Sequence, residues 1–117
     1  MPTANLAMTV REVAPGVRII DIVGEITAFS EELLRDAHQE ASADDASAVI
    51  LNFTSLEYMN SGGIGLLVTT LIRAQRSGHS LSAYGLTEHY REIFSLTRLD
   101  EAIEIFDSED AAVAAAR

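Results

Sequence analysis

The pairing of one near-continuous apolar run with a glycine-rich helix start constrains this chain most. Ala48 to Phe53 carries little polar interruption, and a run of that length without alternation reads as a central strand covered on both faces. Tyr58-Met59-Asn60-Ser61-Gly62-Gly63-Ile64-Gly65-Leu66 follows it. The spacing predicts a helix from Ser61 to about Ser77, with Ile64, Leu67, Val68, Leu71, Ile72 and Gln75 on its inward face and Gly78 as a left-handed stop. A buried strand feeding a helix in this way is the unit of a parallel α/β sheet.

The remaining elements fit that unit. Leu6, Met8 and Val10 alternate with Ala7, Thr9 and Arg11, as in an edge strand with one wet face. Ala14-Pro15-Gly16 is a turn, and Val17 to Val23 is a second strand closing an antiparallel hairpin. Ser30 reads as a helix N-cap followed by Glu31 and Glu32, with Leu33, Leu34, Ala37 and Ala41 as the apolar stripe and a fade through Ser42-Ala43-Asp44-Asp45. Leu81 to Tyr84 is a short strand. Thr87 caps a helix bearing Tyr90, Ile93 and Phe94, and Leu96 and Leu99 fall in the connection after it. Ile103 to Phe106 is a last strand, and Ser108 opens an alanine-rich helix. The expectation is one α/β domain over residues 1–117: a mixed, mostly parallel sheet of about five strands with an N-terminal hairpin, and about four helices joined by right-handed crossovers.

Composition removes several classes of function. Eighteen acidic against eight basic residues give a formal charge of -10, which opposes nucleic-acid binding and suits a solvated acidic surface or a basic protein partner. With no cysteine there is no disulfide framework and no thiolate metal site, which suits a reducing cytoplasm. His38, His79 and His89 lack metal-ligand spacing and read as surface histidines, so no metal and no cofactor is expected. The paired acids Glu31-Glu32, Asp44-Asp45 and Glu109-Asp110 stand at helix starts or in a polar loop, where dipole complementarity and solvation account for them better than acid–base catalysis. Met1 to Ala14 does not read as a signal peptide, and no apolar stretch reaches the length of a membrane span.

Chemistry concentrates at Ser61. The first N–H groups of a helix and the positive end of its dipole stabilise negative charge there. Serine is also among the best plain caps, so the residue has two readings. Gly62, Gly63 and Gly65 have two as well. Each costs the helix on the order of 1 kcal/mol relative to alanine, a cost explained either by a bare surface for a partner or by tight packing on the neighbouring strand. Asn60 is a turn residue holding local backbone, or a partner contact. Leu66 projects away from the Ile64–Leu67–Leu71 face and is expected to be exposed beside Ser61, as a stray leucine or a docking contact. Gly62-Gly63-Ile64-Gly65 is similar to a phosphate-binding loop but has neither the following Lys-Ser/Thr nor Gly-x-Gly-x-x-Gly spacing, so nucleotide or small-anion binding is the weakest reading.

Two stretches resemble the STAS domain of bacterial anti-sigma factor antagonists. Gly24-Glu25-Ile26 with Ser30-Glu31-Glu32-Leu33 is similar to the family's Gly-Glu-Leu-Asp…Thr-Ala-x-x-Leu segment. Leu51-Asn52-Phe53 through Met59-Asn60-Ser61-Gly62-Gly63-Ile64-Gly65 is similar to its apolar strand and Met-Asp-Ser-Ser/Thr-Gly-Leu-Gly motif. Ile93-Phe94 and Leu96 through Leu99 resemble its Leu-Phe…Gly-Leu ending. The resemblance implies a cytoplasmic regulatory binding module and not an enzyme. Its partner would be an anti-sigma factor that is also a serine kinase, with Ser61 as the phosphorylated residue and a phosphatase resetting it. Thr27, Asn60, Ser61, Gly62, Gly63 and Leu66 would form the partner surface. The chain departs from the motif at Asn60 and Thr27, where the family has aspartate, and at Gly62, where it has serine or threonine. These departures support a second reading, a scaffold or stress-sensing complex subunit that is not phosphorylated.

Overall fold

The computed structural model describes residues 5–117. Five strands, β1 (Leu6–Ala14), β2 (Val17–Ile26), β3 (Ala48–Met59), β4 (Ser80–Tyr84) and β5 (Glu104–Phe106), alternate after the initial hairpin with four helices, α1 (Glu31–Ala41), α2 (Ser61–Ser77), α3 (Glu88–Leu96) and α4 (Glu109–Ala116). The sheet order is β1-β2-β3-β4-β5. β1 and β2 are antiparallel, and every later neighbour is parallel. Because the parallel strands advance in one direction and right-handed crossovers are the rule, α1, α2 and α3 all land on one face. The chain returns through α4 to the other.

The core divides accordingly. Ile20, Ile22, Ile26, Val49, Leu51, Phe53, Leu81 and Ala83 meet Leu34, Leu67, Ala74 and Phe94 of the three helices. Val17, Ile19, Ala48, Ile50 and Tyr84 meet Ala112 of α4 on the opposite side. β3 is therefore covered on both faces over Ala48–Leu51, as its unbroken apolar run requires.

Several local expectations change. β3 continues past Phe53 to Met59, because β2 pairs with it as far as Ile26↔Met59 although β4 stops at Tyr84↔Asn52. Leu96 belongs to α3, not to the connection after it. Ser30 makes no side-chain cap for α1. Instead Thr27 and Ser30 form a reciprocal capping box around a 3-10 turn, Ala28–Ser30, that leads into α1. The Ser30 hydroxyl accepts from the Thr27 N–H at 3.0 Å and is buried there.

Two of the three histidines differ from expectation, whereas His89 is exposed as read. His38 and His79 are buried, with their Nε2 atoms 3.0 Å apart. His38 lies on the inward stripe of α1 with Leu34, Ala37 and Ala41, and His79 follows the left-handed Gly78 that turns the chain from α2 into the core. Each ring supplies the other's hydrogen-bond partner, which is what permits two polar side chains there.

Candidate functional site

Met59, the last residue of β3, sits beneath the start of α2. Its N–H donates to the buried Tyr90 hydroxyl of α3 at 2.8 Å, and the Asn60 N–H donates to the Ile26 carbonyl at the end of β2 at 3.3 Å. Three elements thus fix where α2 begins. Asn60 is the N-cap. Its Oδ1 accepts from the Gly63 N–H at 3.0 Å, and its carbonyl accepts from the Ile64 N–H at 3.0 Å. Ser61 is the first helical residue and is not the cap. Its side chain is exposed. Among the described residues, the N–H groups of Ser61 and Gly62 have no acceptor, so two unpartnered donors stand at the positive end of a seventeen-residue helix, beside the exposed Ser61.

The glycines separate into two kinds. A β-carbon on Gly62 would lie 2.8 Å from Ala28 Cβ, and one on Gly63 would lie 2.4 Å from the Ile26 carbonyl oxygen. Both let α2 lie directly on the Ile26–Ala28 backbone, and Gly63 is buried by it. Gly65 meets nothing within 4 Å and is exposed. Thr27 turns its hydroxyl into its own turn, accepting from the Phe29 N–H at 3.2 Å. Its turn still lies beside Ser61, because Ala28 touches Gly62.

The face of α2 is rotated from the expected one. Gly63, Leu67, Thr70 and Ala74 are buried, whereas Val68 and Ile72 are 38% and 44% exposed. Thr70 can point inward because its hydroxyl donates to the Leu66 carbonyl at 2.9 Å. Leu66, expected in the open, is half-buried and packs on the core. It stands at the flank of the true inward stripe, not opposite it. Ser61, Gly65, Val68, Thr69 and Ile72 share the outward face at helical spacing. Phe29, 75% exposed in the adjoining turn, lines a concavity with Leu6, Glu32, Leu33 and Asp36 on the α1 side of that turn. The sequence pattern gives Phe29 no role and places Val68 and Ile72 on the inward face. An aromatic inside a turn was the available signal for the first, but for the other two the apolar periodicity pointed inward.

The opposite side of the sheet holds a polar cluster. Arg11 donates to both carboxylates of Asp21 and Glu109, at 2.7 Å to each nearest oxygen. Asn52 donates to Asp21 at 2.7 Å, and the Tyr84 hydroxyl to Glu109 at 2.8 Å. Hydrogen bonds from Arg11, and then from Asn52 or Tyr84, hold both carboxyls below their usual range. Burial and the bond to Glu109 push the Tyr84 phenol up. Glu109 thus tethers α4 to β1 as well as facing its helix dipole. Every member has a structural partner, so the cluster reads as a clamp on α4 and not as an acid–base site.

This sheet order, with three helices on one face and an exposed serine opening the second, is that of a STAS domain. The STAS family model matches residues 9–112, and the chain belongs to that family. It is 24% identical over 105 residues to an anti-sigma-B factor antagonist of Listeria monocytogenes, covering 90% of this chain and 92% of that protein. It is 30% identical over 86 residues to one of Bacillus subtilis, covering 74% and 78%. The structure superimposes on an anti-sigma factor antagonist from Mycobacterium paratuberculosis with a TM-score of 0.75 at 26% identity, covering 96% and 94% of the two chains. It also superimposes on the phosphorylated form of the Bacillus cell-fate determinant SpoIIAA with a TM-score of 0.72 at 21% identity, covering 95% and 100%. The protein is an anti-sigma-factor-antagonist-like STAS domain. Among the described residues, no helix is long and apolar enough to cross a membrane.

Proposed function

We propose that this domain is a cytoplasmic antagonist of an anti-sigma factor with serine kinase activity, and that phosphorylation of Ser61 releases the partner. The observation that carries this reading is the exposed Ser61 beside two N–H groups without an acceptor at the start of α2. A phosphate on that oxygen adds about two negative charges. The helix start accommodates them, so the fold survives while an uncharged docking surface becomes negative. Gly65, Val68 and Ile72 give the partner bare and apolar surface along the outward face of α2 that Ser61 opens. Asn60, Gly62, Gly63 and Thr27 support that surface from beneath by setting the angle of α2, and Leu66 anchors its edge.

The test mixes the protein with candidate anti-sigma kinases and ATP, maps phosphate by mass spectrometry and measures binding by calorimetry. Modification at Ser61 is expected. Ser61→Asp should weaken binding on the order of a hundredfold, a loss of about 2–3 kcal/mol, while Ser61→Ala binds normally. Phosphate on another residue counts against the switch. A partner held equally by wild type and Ser61→Asp favours the second reading, an unphosphorylated scaffold. Asn60 and Gly62 motivate that alternative, because they are neutral or lack a hydroxyl where the family motif has aspartate and serine or threonine.

A further inference from the structure

All eight cationic side chains of this acidic protein are arginines. Arg11, Arg18, Arg91 and Arg98 each meet a carboxylate. Among the described residues, Arg35, Arg73 and Arg76 meet none and give no side-chain hydrogen bond. All three line one concavity of about 430 Å³ between α1 and α2, together with His38, Gln39 and Ser42.

Chance distribution of surface charge does not produce this easily. Acids outnumber bases eighteen to eight, yet three of the four unpaired guanidiniums share one groove instead of dispersing toward carboxylates; the fourth, Arg117, is exposed at the end of the chain. Complementing helix C-termini accounts for Arg76, in the last turn of α2. It does not account for Arg35, which lies mid-helix in α1, or for Arg73, which lies a turn before the end of α2. Arg73 is half-buried, so its charge is held in the groove and not waved in solvent. Like charges in a shared concavity repel, and an anion between them relieves that repulsion.

The wall also restricts the anion. It offers guanidinium forks, an amide and two hydroxyls; its one ring, the His38 imidazole, is buried against His79, and no exposed aromatic or large aliphatic shelf is present to hold a base or an acyl chain. Three fixed positive charges match a compact ion of similar opposite charge, and guanidinium forks fit phosphoryl oxygens in paired hydrogen bonds. We infer that the α1–α2 groove binds a pyrophosphate group through Arg35, Arg73 and Arg76, either as the free ion or as the terminal part of a larger molecule. The site lies at the opposite end of α2 from Ser61 and acts independently of the serine.

The test titrates the full chain with inorganic pyrophosphate at low ionic strength, by calorimetry and amide NMR, with citrate as a carboxylate ion of comparable charge. Saturable single-site binding is expected, with shifts at Gln39, Ser42 and Arg73 and none at Ser61 to Gly63. Citrate should bind more weakly. Arg35→Gln with Arg76→Gln changes two exposed positions and leaves folding intact; it should lower affinity at least about tenfold. Ser61→Asp should bind pyrophosphate as wild type does. A pyrophosphate ester binding as tightly as the free ion assigns the group to a larger molecule, whereas a weaker ester assigns the free ion. Absence of saturation, shifts confined to Ser61–Gly63, affinity unchanged in the double variant, or citrate binding equally would overturn the assignment.

Discussion

Gly63 and Ile26 approach so closely that a β-carbon on the glycine would fall 2.4 Å from the Ile26 carbonyl oxygen. Two residues on, Gly65 has nothing within 4 Å. The same substitution should therefore have opposite signs at the two positions. Alanine improves helix propensity by about 1 kcal/mol at either site. At Gly63 it also forces backbone apart, a strain on the order of 1–3 kcal/mol. Gly63→Ala is expected to lower the urea midpoint, and Gly65→Ala to raise it slightly. If Gly65→Ala keeps its stability but loses partner binding, that glycine serves the surface and not the fold.

The His38–His79 pair should make the protein acid-sensitive above the carboxylate range. Burial first, then the neighbouring His79 and Arg73, lowers the His38 pKa from its usual 6.5 to about 4, and burial lowers that of His79. The folded protein thus binds fewer protons than the unfolded chain between these values, so stability rises with pH across the window. It is fully present above about 6.5 and is lost as pH falls toward about 4. A first proton buries a charge. A second sets two N–H donors head to head across 3.0 Å. His38→Gln should flatten this limb, measured as the difference in urea midpoint between neutral pH and about pH 5. An unchanged slope would assign the acid loss to other groups.

What was legible in the sequence follows from how local each cause is. Helix α2 starts at Ser61 and has Gly78 beyond its end as read, because caps and stops are set by adjacent residues. The hairpin and parallel order were legible from alternation and punctuation. The second half of β3 is not legible, because Thr54 to Tyr58 mix polar and apolar residues and only backbone pairing with β2 keeps them extended. On α2, Ile64, Leu67 and Leu71 pack inward as their spacing predicts, but Thr70 satisfies its own hydroxyl through Leu66 and takes the inward place while Val68 and Ile72 face out. Polarity alone predicted the reverse. The histidine pair joins residues 41 apart and the Arg11–Glu109 pair residues 98 apart, and no window along the chain contains either. At the site, Ser61 was legible because its neighbours are sequential. The Thr27–Ser30 turn reaches it only through the packing of Ala28 on Gly62.

The start of α2 should be fixed as much by Tyr90 as by its own cap. Tyr90→Phe removes the hydroxyl that accepts from the buried Met59 N–H and leaves that donor without its partner, at a cost of about 1–3 kcal/mol. Asn60→Ala removes the side-chain cap and costs about 0.5–2 kcal/mol. Asn60→Asp restores an acceptor and adds charge at the positive helix end, so it should equal or exceed wild type in thermal stability. If Tyr90→Phe is silent in stability and in hydrogen exchange at Met59, the α3 contact does not hold the strand end.

The clamp on α4 gives the last expectation. α4 buries little beyond Ala112 on the second sheet face, so its attachment depends strongly on Arg11 bridging Asp21 and Glu109. These groups are partly exposed, and the contribution of the network is on the order of 1 kcal/mol, weaker in salt. Because Arg11, and then Asn52 or Tyr84, holds the two carboxyls below their usual values of 3.8 and 4.5, the folded state binds fewer protons there. The contribution is present above that range and lost as pH falls through the lowered values, a lower window than that of the histidine pair. Arg11→Met should leave two carboxylates facing each other, speed amide exchange in residues 109–116 and spare exchange in α2. Glu109→Gln should produce a smaller change, since Tyr84 can still donate to the amide oxygen. Global destabilisation with no selective exchange in α4 would show instead that Arg11 supports the whole sheet.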